Sequence, residues 1–169
     1  MKEHFWKFVA HFIANRTWLV NWIIRSAAKR PYFHLDGYML RWWLTPSWLL
    51  TKDENGNSIP YPWLPTILKC RVHHILRADD DRHLHDHPAD NRSIVLRGYY
   101  DEQDIFGRSN IRSPGQTVFR RAECFHKIAY VSSRGVWTLW FLGERKNEWG
   151  FLVDGRKIHQ NTYLGRRSS

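Results

Sequence analysis

Asp79-Asp80-Asp81-Arg82-His83-Leu84-His85-Asp86-His87-Pro88 is the stretch on which the fold turns. Three histidines recur at every second position. Side chains alternate across a strand, so on a strand all three point to one face. A strand rises about 3.3 Å per residue, which puts positions i and i+2 roughly 6.6 Å apart. Two imidazoles so placed can converge on one metal at bonds of about 2.0–2.1 Å. Positions i and i+4 lie about 13 Å apart on a regular strand and cannot both reach it. One adjacent pair therefore serves one metal, either His83 with His85 or His85 with His87.

Working outward, the spacing chooses the second pair. The chain reads His85-x-His87, three residues, Asn91, six residues, Gly98. Further on it reads Gly115, five residues, Arg121-Ala122-Glu123, two residues, His126, three residues, Tyr130. These frames resemble the two motifs of the cupin superfamily, H-x-H-x₃₋₄-E-x₆-G and G-x₅-P-x-G-x₂-H-x₃-N. The match covers about residues 85–130 directly, and flanking strands extend it over roughly 38–152. Tyr38 to Trp43, Asp79 to Arg82, Leu84 to Pro88, Leu96-Arg97-Gly98 and Phe119 to Glu123 further resemble small HDHP-type cupins of bacteria and phages. That resemblance implies a fold and a metal site, and no substrate.

The fold so implied is all-β, a small single-domain cupin with a double-stranded β-helix or jelly-roll barrel. Carried over residue by residue, the resemblance makes His85, His87 and His126 the metal ligands. The motif glutamate falls on Asn91, which leaves a three-His site. This is similar to the iron site of thiol dioxygenases more than to a two-His-one-carboxylate triad. The implied cofactor is one divalent transition metal, Fe(II) first, with Mn, Ni or Zn as alternatives. Asn91 offers a weak amide ligand. His83 is expected outside the site. Asp79, Asp80, Asp81 and Asp86 read as turn and solvent residues, Asp86 having the wrong parity to share the histidine face.

Ser93 and Arg97 share the parity of Asn91 and are expected in the substrate pocket. A bulge near Gly98 would reverse that set. Glu102 and Glu123 are the carboxylates nearest the motifs and are candidate catalytic residues. Tyr130, standing where the motif has Asn, joins them. Val136-Trp137-Thr138-Leu139-Trp140-Phe141-Leu142 has no polar face and reads as a strand buried on both sides, with Trp137 or Trp140 lining the pocket. Cys124 reads as a buried, inert thiol.

The rest of the chain divides by composition. Its 169 residues with 43% hydrophobic and 15% aromatic content suit one globular domain. Phe5, Phe8, Val9, Phe12 and Ile13, then Leu19, Val20, Ile23 and Ile24, keep helical spacing, so residues 1–30 are expected as one basic amphipathic helix stopped by Pro31. Polar and basic residues interrupt it too often for a membrane span. Strand-like segments follow at 38–44, 67–77, 92–102, 117–121, 126–131 and 136–142, with a hairpin tip at 53–58. The barrel is expected over 31–155 and a basic tail over 156–169.

The net charge of +10 invites a nucleic-acid reading. By position it does not persist. Residues 1–30 hold six Lys/Arg against one acid, and 156–169 hold four against none. The segment between holds sixteen against fifteen, which disfavours nucleic acid as the partner of the barrel. Two widely spaced cysteines, Cys70 and Cys124, form no disulfide scaffold and read as reduced thiols in a cytoplasmic protein.

Three functions compete at this stage. The first is an Fe(II) oxygenase-type enzyme acting on a small molecule. The second is a non-catalytic small-molecule sensor. The third is an isomerase- or lyase-type metal cupin, or an enzyme of nucleic-acid modification. A homodimer is expected, and the basic helix also suits contact with a membrane surface.

Overall fold

A computed structural model describes residues 2–79 and 83–165. The chain opens with two helices, α1 (Lys2–Ala14) and α2 (Thr17–Ala28), where one had been expected. The break falls at Asn15-Arg16. Asn is a weak helix former, and Arg16 is extended, with φ −121° and ψ 91°.

Among the described residues twelve strands follow: β1 (Met39–Trp43), β2 (Leu50–Lys52), β3 (Ser58–Pro60), β4 (Cys70–Ile75), β5 (Ala89–Arg97), β6 (Tyr100–Asp104), β7 (Ser109–Arg112), β8 (Thr117–Arg120), β9 (His126–Val131), β10 (Val136–Arg145), β11 (Gly150–Val153) and β12 (Arg156–His159). A helical turn, α3 (Gln160–Tyr163), ends the described chain. Residues 156–165, expected as tail, thus belong to the folded body. Tyr163 stacks on Phe151 with ring centroids 3.9 Å apart. The expected strand 92–102 is two strands, broken at Gly98.

One sheet runs β1-β4-β10-β5-β8 and another runs β7-β6-β9. The histidine segment extends the second sheet, because His85 bridges His126 of β9 on one side and Phe151 of β11 on the other. From β4 onward the chain therefore passes back and forth between the sheets. This is the antiparallel jelly-roll barrel of the expected fold class. The β2–β3 hairpin carries the predicted tip at 53–58.

The alternation of β10 explains its all-apolar sequence. Leu139 and Phe141 face outward and pack under α1 and α2 with Ala10, Val20, Ile23 and Ala27. Thr138, Trp140 and Leu142 face the barrel interior, where they line a cavity. Both faces are buried, so neither needs polar residues. The opposite faces of the helices leave Phe8, Trp18 and Trp22 exposed. No described helix is long and apolar enough to cross a membrane.

Candidate metal centre

The three-His cluster forms at the junction of the two sheets. His85 and His87 come from the segment docked on β9, held by reciprocal bonds between the backbones of His85 and His126 at 2.9 and 3.0 Å. His126 opens β9. The candidate ligand atoms of His85, His87 and His126 all lie within 4.8 Å of one another. Nε2 of His87 is 2.7 Å from Nε2 of His126. His83 lies outside, with Nδ1 2.8 Å from the Tyr163 hydroxyl.

Two carboxylates stand behind the ring nitrogens. Oε1 of Glu102 lies 2.8 Å from His126 Nδ1. Facing that nitrogen, the carboxylate favours the Nδ1–H tautomer and turns the Nε2 lone pair toward His87. Oδ2 of Asp79 lies 3.8 Å from His85 Nδ1. Asp79 is itself held by the Tyr38 hydroxyl at 2.5 Å and the Ile128 N–H at 2.9 Å.

Burial keeps two of the rings, His87 and His126, neutral. Burial holds His87 well below the usual histidine range, and His126, His85 and Arg120 add to it. Burial also lowers His126, with Arg120 acting in the same direction and Glu102 opposing. For Glu102, burial alone would raise the carboxyl. The His126 contact and the Arg120 charge outweigh it and hold the group far below the carboxylate range. Neutral imidazoles beside a permanent carboxylate are the protonation states a metal ligand set requires.

The cluster opens onto a cavity of about 790 Å³. Trp140, Trp149 and Phe151 line it near the histidines, and Ser93 and Arg120 line it from β5 and β8. Ser93 Oγ accepts from Arg120 at 3.2 Å.

Several expected site residues lie elsewhere. Arg97 is exposed and donates to Asn21 Oδ1 of α2 at 2.8 Å. The cause is a bulge: Val95 pairs with Thr138, but Arg97 pairs with Trp137, so the strand gains a residue at Leu96. The extra residue turns Arg97 outward; Trp137 faces outward by the plain alternation of β10, on the side of Leu139 and Phe141. Trp137 accordingly stacks on Trp42 and His74 on the helix side of the sheet. Trp140 lines the cavity instead. Glu123 is exposed in the turn before β9, and Tyr130 is exposed and stacks on Tyr99, so neither lines the cavity. Glu102 touches a ring nitrogen of His126 from behind and does not line this cavity. Asn91 is buried on the inward face between Arg120 and Leu142, and its Oδ1 has no hydrogen-bond partner among the described residues. Cys124 is exposed, and Cys70 is the buried thiol.

Two aspartates expected in solvent are buried. Asp79 orients toward His85 as described. Asp86 accepts from the Gly150 N–H at 2.7 Å, from Asn147 Nδ2 at 2.6 Å and from Lys157 Nζ at 2.5 Å. It anchors the histidine segment to the strand beside it from the face opposite His85 and His87. Its parity was readable. What the sequence lacked was a sign that β11 and its neighbours cover that face. Asp80 and Asp81 fall outside the described residues.

No family profile matches this chain, and no curated protein does. Among solved structures, KdgF from a Halomonas species is 13% identical, with 70% of this chain and 92% of that one covered and a TM-score of 0.46. A cupin-like protein from Thermotoga maritima is 15% identical over 83% of this chain and 96% of that one, with a TM-score of 0.43. A DMSP lyase structure is 16% identical over 67% of this chain, with a TM-score of 0.44. The chain spans about half the length of that lyase, 52%.

Proposed function

We propose that His85, His87 and His126 hold one divalent transition metal and that the protein is a metal-dependent enzyme acting on a small molecule, with Fe(II) oxygenase chemistry. The observation that carries this reading is the convergence of three imidazoles at one end of an aromatic-walled cavity. His87 Nε2 and His126 Nε2 stand 2.7 Å apart, a hydrogen-bond distance at which one ring's N–H meets the other's lone pair. A bound cation would replace that shared proton and spread the two nitrogens slightly. Bound Fe(II) supplies redox chemistry with O₂, whereas Mn, Ni or Zn would supply Lewis-acid polarisation for isomerase or lyase chemistry.

The chain's own residues do the positioning. Glu102 sets its charge 2.8 Å from His126 Nδ1. Asp79 stands behind His85. Trp140, Trp149 and Phe151 limit water around the rings. No carboxylate of the described residues joins the cluster, so an ion there would be ligated by imidazoles alone, with Glu102 and Asp79 acting on it only through the rings.

Metal analysis of the purified protein and of His126→Ala tests the proposal. About one equivalent of transition metal in the wild type and a large loss in the variant is the expected result. Equal, trace metal in both refutes it. Oxygen uptake by the Fe(II)-loaded protein with candidate small molecules then separates a catalyst from a binding protein.

A further inference from the structure

The cavity carries a second polar cluster that the metal reading does not use. It is built on β4, where Arg71 and His73 point inward, and on the strands either side. Arg41 of β1 pairs with His73, and Thr138 of β10 pairs with His73 from the other side. Arg71 and His73 are 8% and 7% exposed, and Thr138 is 2% exposed. Arg71 Nε, His73 Nε2 and Thr138 Oγ1 are all buried without a hydrogen-bond partner among the described residues. Buried polar atoms are almost always paired, so three orphans lining one cavity mark a place where a ligand's acceptor atoms belong.

The charge balance says which acceptor. No described acid pairs with Arg71 or Arg41, whereas Arg120 is neutralised by Glu102. Arg71 is held by aromatic faces instead, its guanidinium carbon lying 4.4 Å from the Trp140 ring centroid and 5.0 Å from that of Trp43. Those contacts fix the fork and leave its Nε donor free. Burial, then Arg71 and Arg41, keep His73 neutral, which reports the positive field at this end. Among the described residues, the one acid lining the cavity is Glu144, exposed at the mouth.

We infer that Arg71, with Arg41, His73 and Thr138, forms an oxyanion subsite that takes the carboxylate or phosphate group of a small organic acid. Trp140 separates this subsite from the histidines. Its ring centroid is 5.3 Å from that of His73 and 6.3 Å from that of His87. A ligand anchored at Arg71 therefore lays its body along Trp140 and presents its far end to the three-His cluster. A guanidinium fork matches carboxylate and phosphate geometry, and aromatic walls match an apolar body. As a statement about substrate this inference rests on the enzyme reading above; as a statement about a subsite it does not.

The test uses metal-free, EDTA-treated full-length protein at constant ionic strength. Benzoate, its neutral isostere benzamide and inorganic phosphate are titrated by calorimetry. At least one of the two oxyanions should bind at least about tenfold tighter than benzamide, and Arg71→Gln should remove most of that preference. The tighter of benzoate and phosphate assigns the head group. Where circular dichroism shows Arg71→Gln misfolded, the less buried Arg41→Gln carries the test, and Arg97→Gln is the outside control. No preference for an oxyanion over benzamide overturns the inference. Wild-type affinity in a folded Arg71→Gln does so as well. Oxyanion binding that appears only after metal loading, and ignores Arg71, also overturns it while leaving the metal reading intact. Loss of the metal reading with Arg71-dependent binding retained leaves the subsite standing.

Discussion

Replacing Glu102 by Gln keeps the side chain's shape and removes its charge, and two losses follow. Oε1 lies 2.5 Å from Arg120 and 2.8 Å from His126 Nδ1, and Oε2 lies 3.2 Å from Arg112. The Glu102 side chain is 7% exposed and that of Arg120 9%, so water screens this pair little. Removing one partner of a buried pair strands the other, at about 3–5 kcal/mol. Groups that orient a metal-bound histidine typically contribute about 10–100-fold in metal affinity, or about 1.4–2.8 kcal/mol. Glu102→Gln is therefore expected to lower both urea stability and metal affinity, the latter read by competition with a chromophoric chelator. Glu102→Gln combined with Arg120→Met removes the stranded cation. It should recover stability without recovering metal affinity. The reasoning is refuted if Glu102→Gln loses stability yet binds metal within about twofold of wild type. Glu102 would then serve only as the counter-ion of Arg120. The pH sign follows from its lowered pKa. Its stabilisation is complete above the ordinary carboxylate value of 4.5 and is lost as pH falls below that.

His73, His87 and His126 all titrate below the ordinary 6.5, chiefly because they are buried. The unfolded chain therefore takes up protons first, and the metal-free protein should lose stability as pH falls through about 6.5, by up to about 1.4 kcal/mol per pH unit for each histidine; a flat urea midpoint from pH 7.5 to 5.5 would count against this. Asp86→Ala leaves the buried Gly150 N–H without its acceptor, while the exposed Lys157 ammonium keeps Asn147 and water, and should cost about 1–3 kcal/mol, with metal affinity falling because the histidine segment loses its anchor; unchanged metal uptake would show that the backbone bridges suffice. Gly98→Ala places a Cβ 2.4 Å from the Gly135 carbonyl oxygen at a φ of +76°, so a loss of about 1–3 kcal/mol or more is expected in thermal melts. Trp137→Leu should destabilise the helix-facing layer and leave oxyanion binding unchanged, whereas Trp140→Leu should weaken that binding; the reverse outcome would contradict the assigned register.

Much of this was open to reading in the chain. The histidine periodicity, the two motif glycines and the third histidine at its spacing are local facts, and they pointed to the barrel and to His85, His87 and His126. The all-apolar run at 136–142 pointed to two-sided burial for the same reason, since neither face tolerates a polar set. The strand parity of Asn91 and Ser93 held because no irregularity lies between them.

What the tertiary structure decided has one physical cause: it depends on partners far away in sequence. The bulge at Leu96 exists only in register with β10, and it moved Arg97 out of the pocket, whereas Trp137 lies outside because the odd-numbered face of β10 packs under the helices. Asp79 and Asp86 are buried because β9 and the β11–β12 hairpin supply donors from 49 and 64 residues away. The Arg71-x-His73 alternation on β4 was visible, but its polar set faces the interior, and only closure of the barrel shows that. Periodicity assigns side chains to a face. Which face becomes the inside, and which charges meet there, is settled when the two sheets close on each other.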